Sequence, residues 1–231
     1  MTKEQFLKEM EWLLKADKTE QAIKQMRKSP FVMDIEVLKV LGNAYVRTAE
    51  YDKAMQIFSV FLEQPYEKKD AAWIWFNIAI IFRFQDNPVK GIAIMLKLVN
   101  EYPENPVFWL ELGNCFFKAE KNDDAEQSYR KALELIDKDA DVYNKAQICV
   151  EAGFFYKEKG RYPEAASLFE KSLSYLPIYK SALIYLGDAY YEAEISKPAR
   201  EAYMKAKEYY PDDHHVQDYV AEKLERLGEG E

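Results

Sequence analysis

Cysteine and histidine are nearly absent from the chain, two of each in 231 residues. That excludes a disulfide-built scaffold and leaves too few ligands for a zinc site of the usual His and Cys kind. Glycine (8) and proline (9) are also scarce, which favours helices joined by short turns over a fold of many strands. Basic residues are outnumbered 32 to 40, for a formal net charge of -8. A nucleic-acid binder needs the opposite surplus. No apolar run approaches the roughly 18 residues of a membrane helix. The opening Met1–Met10 is amphipathic and charged, with no apolar signal core. The expected location is therefore the cytoplasm, with which two thiols without an evident partner agree.

What is present points to a packed helical protein. Hydrophobic residues make up 48% of the chain and aromatics 15%, enough to bury a core and to exclude intrinsic disorder. Apolar residues recur at helical spacing, as in Ile35, Leu38, Leu41 and Val46, and then Ile57, Val60 and Phe61. Small residues mark a longer period. Gly42, Ala79, Gly113, Gly153 and Gly187 each follow an apolar residue and precede an aromatic by three positions. Twelve residues after each stands a second small residue: Ala54, Gly91, Ala125, Ala165 and Ala199. Four further on comes a large one: Phe58, Met95, Tyr129, Phe169 and Tyr203. The intervals between the first small residues are 37, 34, 40 and 34, which places short insertions near 69–71 and 140–145.

This pattern resembles the tetratricopeptide repeat, W-x2-L-G-x2-Y, then A-x3-F, then P, at a period of 34. Pro103, Pro177 and Pro211 match the closing proline. The resemblance covers residues 35–213 and implies an all-α, right-handed α-α superhelix of about six helix pairs. Five repeats are expected at about 35–68, 72–105, 106–139, 146–179 and 180–213. A degenerate first pair is expected over 1–34, and a capping helix with a frayed tail over 214–231. The small residues let paired helices approach closely, and the large ones fill the space around that contact. Asp52, Asn87 and Asp123 are placed to cap second helices. Pro88, Pro163 and Pro198 fall near first turns, where a missing N–H costs little.

No phosphate-cradling loop, dinucleotide fingerprint or nucleophile elbow occurs. His214 and His215 are adjacent, so on a helix they diverge by about 100°. Cys115 and Cys149 fit best as small core hydrophobes. Asp137, Asp139 and Asp141 open like a calcium loop, but that loop's glycine and final glutamate are replaced by Val142 and Ile148, leaving a helix-capping turn. No catalytic set, cofactor or metal is expected.

The remaining surface of the first helices lines a groove for a partner in similar proteins. Here that face is apolar and aromatic in its middle, and exposed patches of this kind take partners. The candidate contacts are Trp73, Phe76, Ile80, Phe84, Leu110 and Phe117 as anchors. Asn43, Asn77 and Asn114 would bond a partner's backbone, and Arg83 and Lys118 would take its charges. The competing reading buries Trp73 and Phe76 in the stack; loss of stability on Trp73→Ala would separate the two. Trp75 and Trp109 are core by pattern. Charges grade along this face from Lys39, Arg47 and Arg83 to Glu151, Asp188 and Glu192, an arrangement able to orient a peptide. A carboxylate clamp of the kind that holds chaperone C-termini matches only at Lys39, Asn43 and Asn77, because Val107 and Glu111 replace its last cations. The expected function is a non-catalytic adaptor or chaperone-like module that binds a peptide or amphipathic helix of another protein. It would be a monomer or weak homodimer, with no nucleic-acid or membrane partner. A chaperone like those of type III secretion and a self-assembling structural protein are the alternatives.

Overall fold

The computed structural model describes residues 1–15, 18–62, 68–139 and 141–228. Among these there are thirteen α-helices, one 3-10 turn and no strand. The helices are α1 (Lys3–Lys15), α2 (Thr19–Lys28), α3 (Ile35–Arg47), α4 (Tyr51–Leu62), α5 (Lys68–Phe84), α6 (Pro88–Glu101) and α7 (Pro106–Lys118). They continue with α8 (Asn122–Glu134), α9 (Val142–Glu158), α10 (Tyr162–Tyr175), α11 (Lys180–Glu192), α12 (Ser196–Tyr209) and α13 (His214–Gly228). Of the expected frayed tail, 228–231, Gly228 is the last residue of α13, and 229–231 lie outside the described residues. Residues 69–71 of the first insertion lie in α5 and residues 142–145 of the second in α9, and these two helices have 17 residues where α3, α7 and α11 have 13.

The chain divides into two compact units, Met1–Leu98 and Val99–Glu231. In the first, α1 packs on α2 and α3, and α3 on α4 and α5. Its core runs through Met10, Met26, Leu41, Phe58, Phe61 and Ile74. In the second, each of α7, α9 and α11 packs on the helix that follows it, and α9 packs on both α7 and α11. A helix pair cannot bury its own apolar face, so pairs stack on their neighbours. The last pair is closed by α13, which covers α12 with Val216 and Val220 and turns Asp218, Glu222, Glu225 and Arg226 to water.

The fixed spacing within each pair has a backbone cause. The residue seven after each first small residue has positive φ: Ala49, Asp86, Glu120, Gly160 and Glu194. The next N–H, at Glu50, Asn87, Lys121, Arg161 and Ile195, donates to the carbonyl of the pattern aromatic, Tyr45, Phe82, Phe116, Tyr156 and Tyr190, at 2.8–2.9 Å. This is a Schellman turn repeated five times. The second helix begins directly after it. Asp52 and Asp123 consequently lie inside the first turns of α4 and α8 and stabilise them as charges at the positive end of the helix; they are not caps. Side-chain caps occur on first helices instead, where Asp34, Asn105 and Asp141 accept from the N–H groups of α3, α7 and α9.

Only one of these five turn positions is glycine. A side chain there costs about 1–2 kcal/mol, partly offset because glycine orders at a cost of about 0.5–1 kcal/mol. Glu120→Gly is therefore expected to raise the thermal midpoint by a few degrees and Gly160→Ala to lower it comparably. Calorimetry of the two variants checks the sign.

Candidate functional site

The first-helix face of the Met1–Leu98 unit carries the candidates on α3 and α5. Asn43 is exposed. Trp73 is half-buried and meets Phe58 edge-on, ring centres 5.9 Å apart, within the core cluster. That contact places Trp73 with the core as much as with the surface. Asn77 is buried and donates from Nδ2 to the Trp73 carbonyl at 2.8 Å; its amide is engaged inside α5. Phe76 and Ile80 are half-buried. Phe84 is exposed, stacks on Tyr51 with centres 6.0 Å apart, and carries the Arg83 guanidinium over its ring at 4.4 Å. Trp75 departs from the repeat pattern, being 41% exposed. The core stripe of α5 is Ile74, Ile78 and Ile81, and the residue after Ile74 points about 100° away from it. Lys39 is ion-paired with Asp70 and Glu36, so the first cation of a carboxylate clamp is already neutralised.

In the Val99–Glu231 unit, the sequence-based assignment needs correction at three places. Leu110 is 4% exposed and packs inside the unit. Asn114 is buried and accepts from the Tyr129 hydroxyl at 2.7 Å. Asp188, read from the sequence as a groove charge, is buried and accepts from the hydroxyls of both Tyr203 and Tyr219 at 2.7 Å. The same register governs Asn114 and Asp188. Each follows the small residue of its first helix and meets the large residue of the second helix fifteen positions later, where a tyrosine supplies a hydroxyl to be satisfied.

Phe117 and Lys118 do reach the surface of α7, half-buried and exposed respectively. Phe117 begins a row of half-buried rings across three helices. Its centre lies 6.4 Å from that of Phe154 on α9, which lies 5.3 Å from that of Tyr185 on α11. The Lys157 ammonium sits over Phe154 and Tyr185 at 5.4 and 5.8 Å. Further along, Lys223 of α13 sits over Tyr191 and Tyr219 at 4.6 and 5.5 Å. Burial, and then Glu151, push the Tyr185 hydroxyl above its ordinary pKa. Tyr190 is pushed up to about 12 by its hydrogen bond to Glu170.

The thiols are buried, and burial pushes Cys149 up to about 11, away from reactivity. Among the described residues no group of His, Cys, Asp and Glu is arranged to hold a metal. None of the helices is long and apolar enough to cross a membrane. Asp141 caps α9 and Asp139 accepts from the Asp141 N–H and the Asn144 amide, so this acidic run is built as a turn.

Family models described as tetratricopeptide repeat match residues 76–141 and 156–222, together more than half of the chain. The chain belongs to the tetratricopeptide repeat family. No curated protein matches it by sequence. Among solved structures it is similar to one described as the APC/C hetero-tetramer Cut9-Hcn1, at TM-score 0.73 and 14% identity, covering 95% of this chain and 42% of that one. It thus spans less than half the length of that relative. It is also similar to TTC0263, a thermophilic tetratricopeptide protein of Thermus thermophilus, at TM-score 0.68 and 16% identity, covering 82% and 98%. YrrB, described as a tetratricopeptide protein with an unusual peptide-binding site, aligns at TM-score 0.54 and 20% identity over 82% and 93%. At these identities the likeness is one of fold. The tetratricopeptide fold is a protein-interaction module, and the half-exposed aromatic row lies on its first helices.

Proposed function

We propose that this tetratricopeptide chain is a non-catalytic adaptor or chaperone-like protein of the cytoplasm that holds a peptide or helix of a partner protein on its first-helix faces. The observation that carries the reading is the row Phe117, Phe154 and Tyr185, three large rings left half-buried on consecutive first helices. Aromatic side chains in such positions are the usual anchors of protein recognition. Phe84 with Arg83 offers a second apolar and cationic surface on the Met1–Leu98 unit. The outer side of α13 is polar, which disfavours self-assembly there, while α1 turns Lys3, Glu4, Lys8 and Glu11 to water together with the exposed ring of Trp12. The test is a paired capture from native lysate with the wild-type chain and Phe154→Ala/Tyr185→Ala as baits, each checked by melting. A partner held by wild type and reduced about tenfold or more on the folded variant supports the reading. The same partners held equally by both baits would remove this face from it.

A further inference from the structure

We infer that the Val99–Glu231 unit takes a basic segment of a partner protein, whose Lys or Arg side chains displace Lys157 and Lys223 from the aromatic faces those lysines now cover. The inference rests on the interaction reading above and specifies the chemistry of the partner. Charge is divided unevenly along the chain. Residues 1–98 carry 15 basic and 13 acidic side chains, while residues 99–231 carry 17 and 27, so a net charge of -10 falls on the second unit and +2 on the first.

The ring face of the second unit follows the same division. Tyr185 lies in the field of Glu151, Asp188 and Glu158, against one lysine. Tyr219 lies in that of Asp188, Glu222 and Glu192. Rings bordered by carboxylates attract cations by their quadrupole and by simple charge. The unit already shows this with its own side chains. Lys157 is laid along Phe154 and Tyr185 with its side chain only 18% exposed, and Lys223 lies over Tyr191 and Tyr219. Both are single flexible side chains; Lys157 also pairs with Glu158 at 3.3 Å, a bond that an incoming guanidinium would take over as the ammonium returns to water. Arginine stacks on such rings better than lysine and loses less hydration in doing so. An arginine-bearing segment would gain the rings together with the negative field around them, to which the buried Asp188 adds its charge without direct contact, and would release the two lysines.

This mechanism makes a prediction of unusual sign. If the internal lysines compete with the partner, removing them tightens binding. The probe is a fluorescent oligo-arginine peptide, with oligo-glutamate and oligo-serine peptides of the same length as controls, titrated into the full chain by anisotropy. Lys157→Ala and Lys223→Ala are each expected to tighten oligo-arginine binding about threefold to tenfold. Glu151→Gln/Glu192→Gln should weaken it by a similar factor. Glu201→Gln/Glu208→Gln on α12, outside the ring face, makes the same change of charge and should weaken it far less. Melting of each variant separates a binding effect from a folding one. The inference is overturned if Lys157→Ala leaves oligo-arginine binding unchanged or weaker, if the two glutamate pairs act equally, if oligo-glutamate is the peptide bound, or if neither charged peptide binds. In each of those cases the capture experiment with Phe154→Ala/Tyr185→Ala decides separately whether the interaction face itself stands.

Discussion

Replacing Asp188 with alanine is expected to destabilise the Val99–Glu231 unit by about 2–4 kcal/mol, although the residue sits on a first helix at a position that reads as surface. Its carboxylate accepts two hydroxyls, from Tyr203 of α12 and Tyr219 of α13. Tyr203 is fully buried, so truncation strands its hydroxyl without solvent, and stranding a buried donor costs about 1–3 kcal/mol. The Tyr219 bond joins the capping helix to the last pair, beside the bonds from the Gln217 amide to the Lys207 carbonyl and from Arg200 to the Leu227 carbonyl. Thermal unfolding should shift down by about 5–10 °C, and Asp188→Asn, which keeps an acceptor, by much less. Asp188→Ala/Tyr203→Phe should recover part of the loss, since the stranded hydroxyl is gone. A melt of Asp188→Ala indistinguishable from wild type would mean that this junction holds nothing.

The same bonds fix the sign of an alkaline effect. Burial first, and then Asp188, hold the Tyr203 and Tyr219 hydroxyls protonated well above the ordinary value near 10. Both contributions to stability are complete below pH 10. They are lost as pH rises beyond it, because the unfolded chain gives up its phenolic protons first. In Asp188→Ala burial remains but the carboxylate does not, so the alkaline loss, followed by phenolate absorbance alongside circular dichroism, should be shallower than in wild type.

Asp188 also shows where sequence reading reached its limit. The helix pairs were legible because they depend on residues at fixed spacing: the small residue, the aromatic three later, the second small residue and the large one four beyond. Stacking of neighbouring pairs follows from the same pattern. The fate of the residue beside the small one was not legible. Asn43, Asn114 and Asp188 occupy the same register, yet Asn43 is exposed while Asn114 and Asp188 are buried. A signal was present, since Phe58 stands fifteen residues after Asn43, whereas Tyr129 and Tyr203 stand fifteen after the other two. A tyrosine inside the pair demands an acceptor, and the nearest is the residue after the glycine. Trp75 failed for another reason. The repeat motif records identity at a position, but in α5 three isoleucines already fill the core stripe, and a bulky ring beside that stripe turns outward. The turn residues of positive φ were missed because four of the five are not glycine.

Alanine in place of the first-helix glycines is expected to be the other large loss, against the usual preference of helices for alanine. A Cβ at Gly153 would stand 2.7 Å from the Phe169 ring, one at Gly113 2.9 Å from the Tyr129 ring, and those at Gly42 and Gly187 closer still to Phe58 and Tyr203. Each of these rings is fully buried, so it cannot swing aside as a surface side chain would. Overpacking costs about 1–3 kcal/mol, and the gain in helix propensity returns about 1 kcal/mol at most. The net expectation for Gly153→Ala or Gly187→Ala is a loss of about 1–2 kcal/mol, read from urea midpoints at constant slope. Ala79 supports the reasoning from within the same chain. Its counterpart on the second helix is Met95, a flexible thioether rather than a ring, and there alone the first small residue carries a methyl group. Gly228→Ala is the control, since beyond its chain neighbours and its own helix backbone the added carbon meets nothing within 4 Å, and it should be neutral or slightly stabilising. In Gly153→Ala/Phe169→Leu the smaller side chain makes room for the methyl group, so the double variant should lose less than the sum of the single losses. Strict additivity would show that the glycine and the ring do not touch in solution, and the close approach that sets the geometry of every pair would have to be assigned to other contacts.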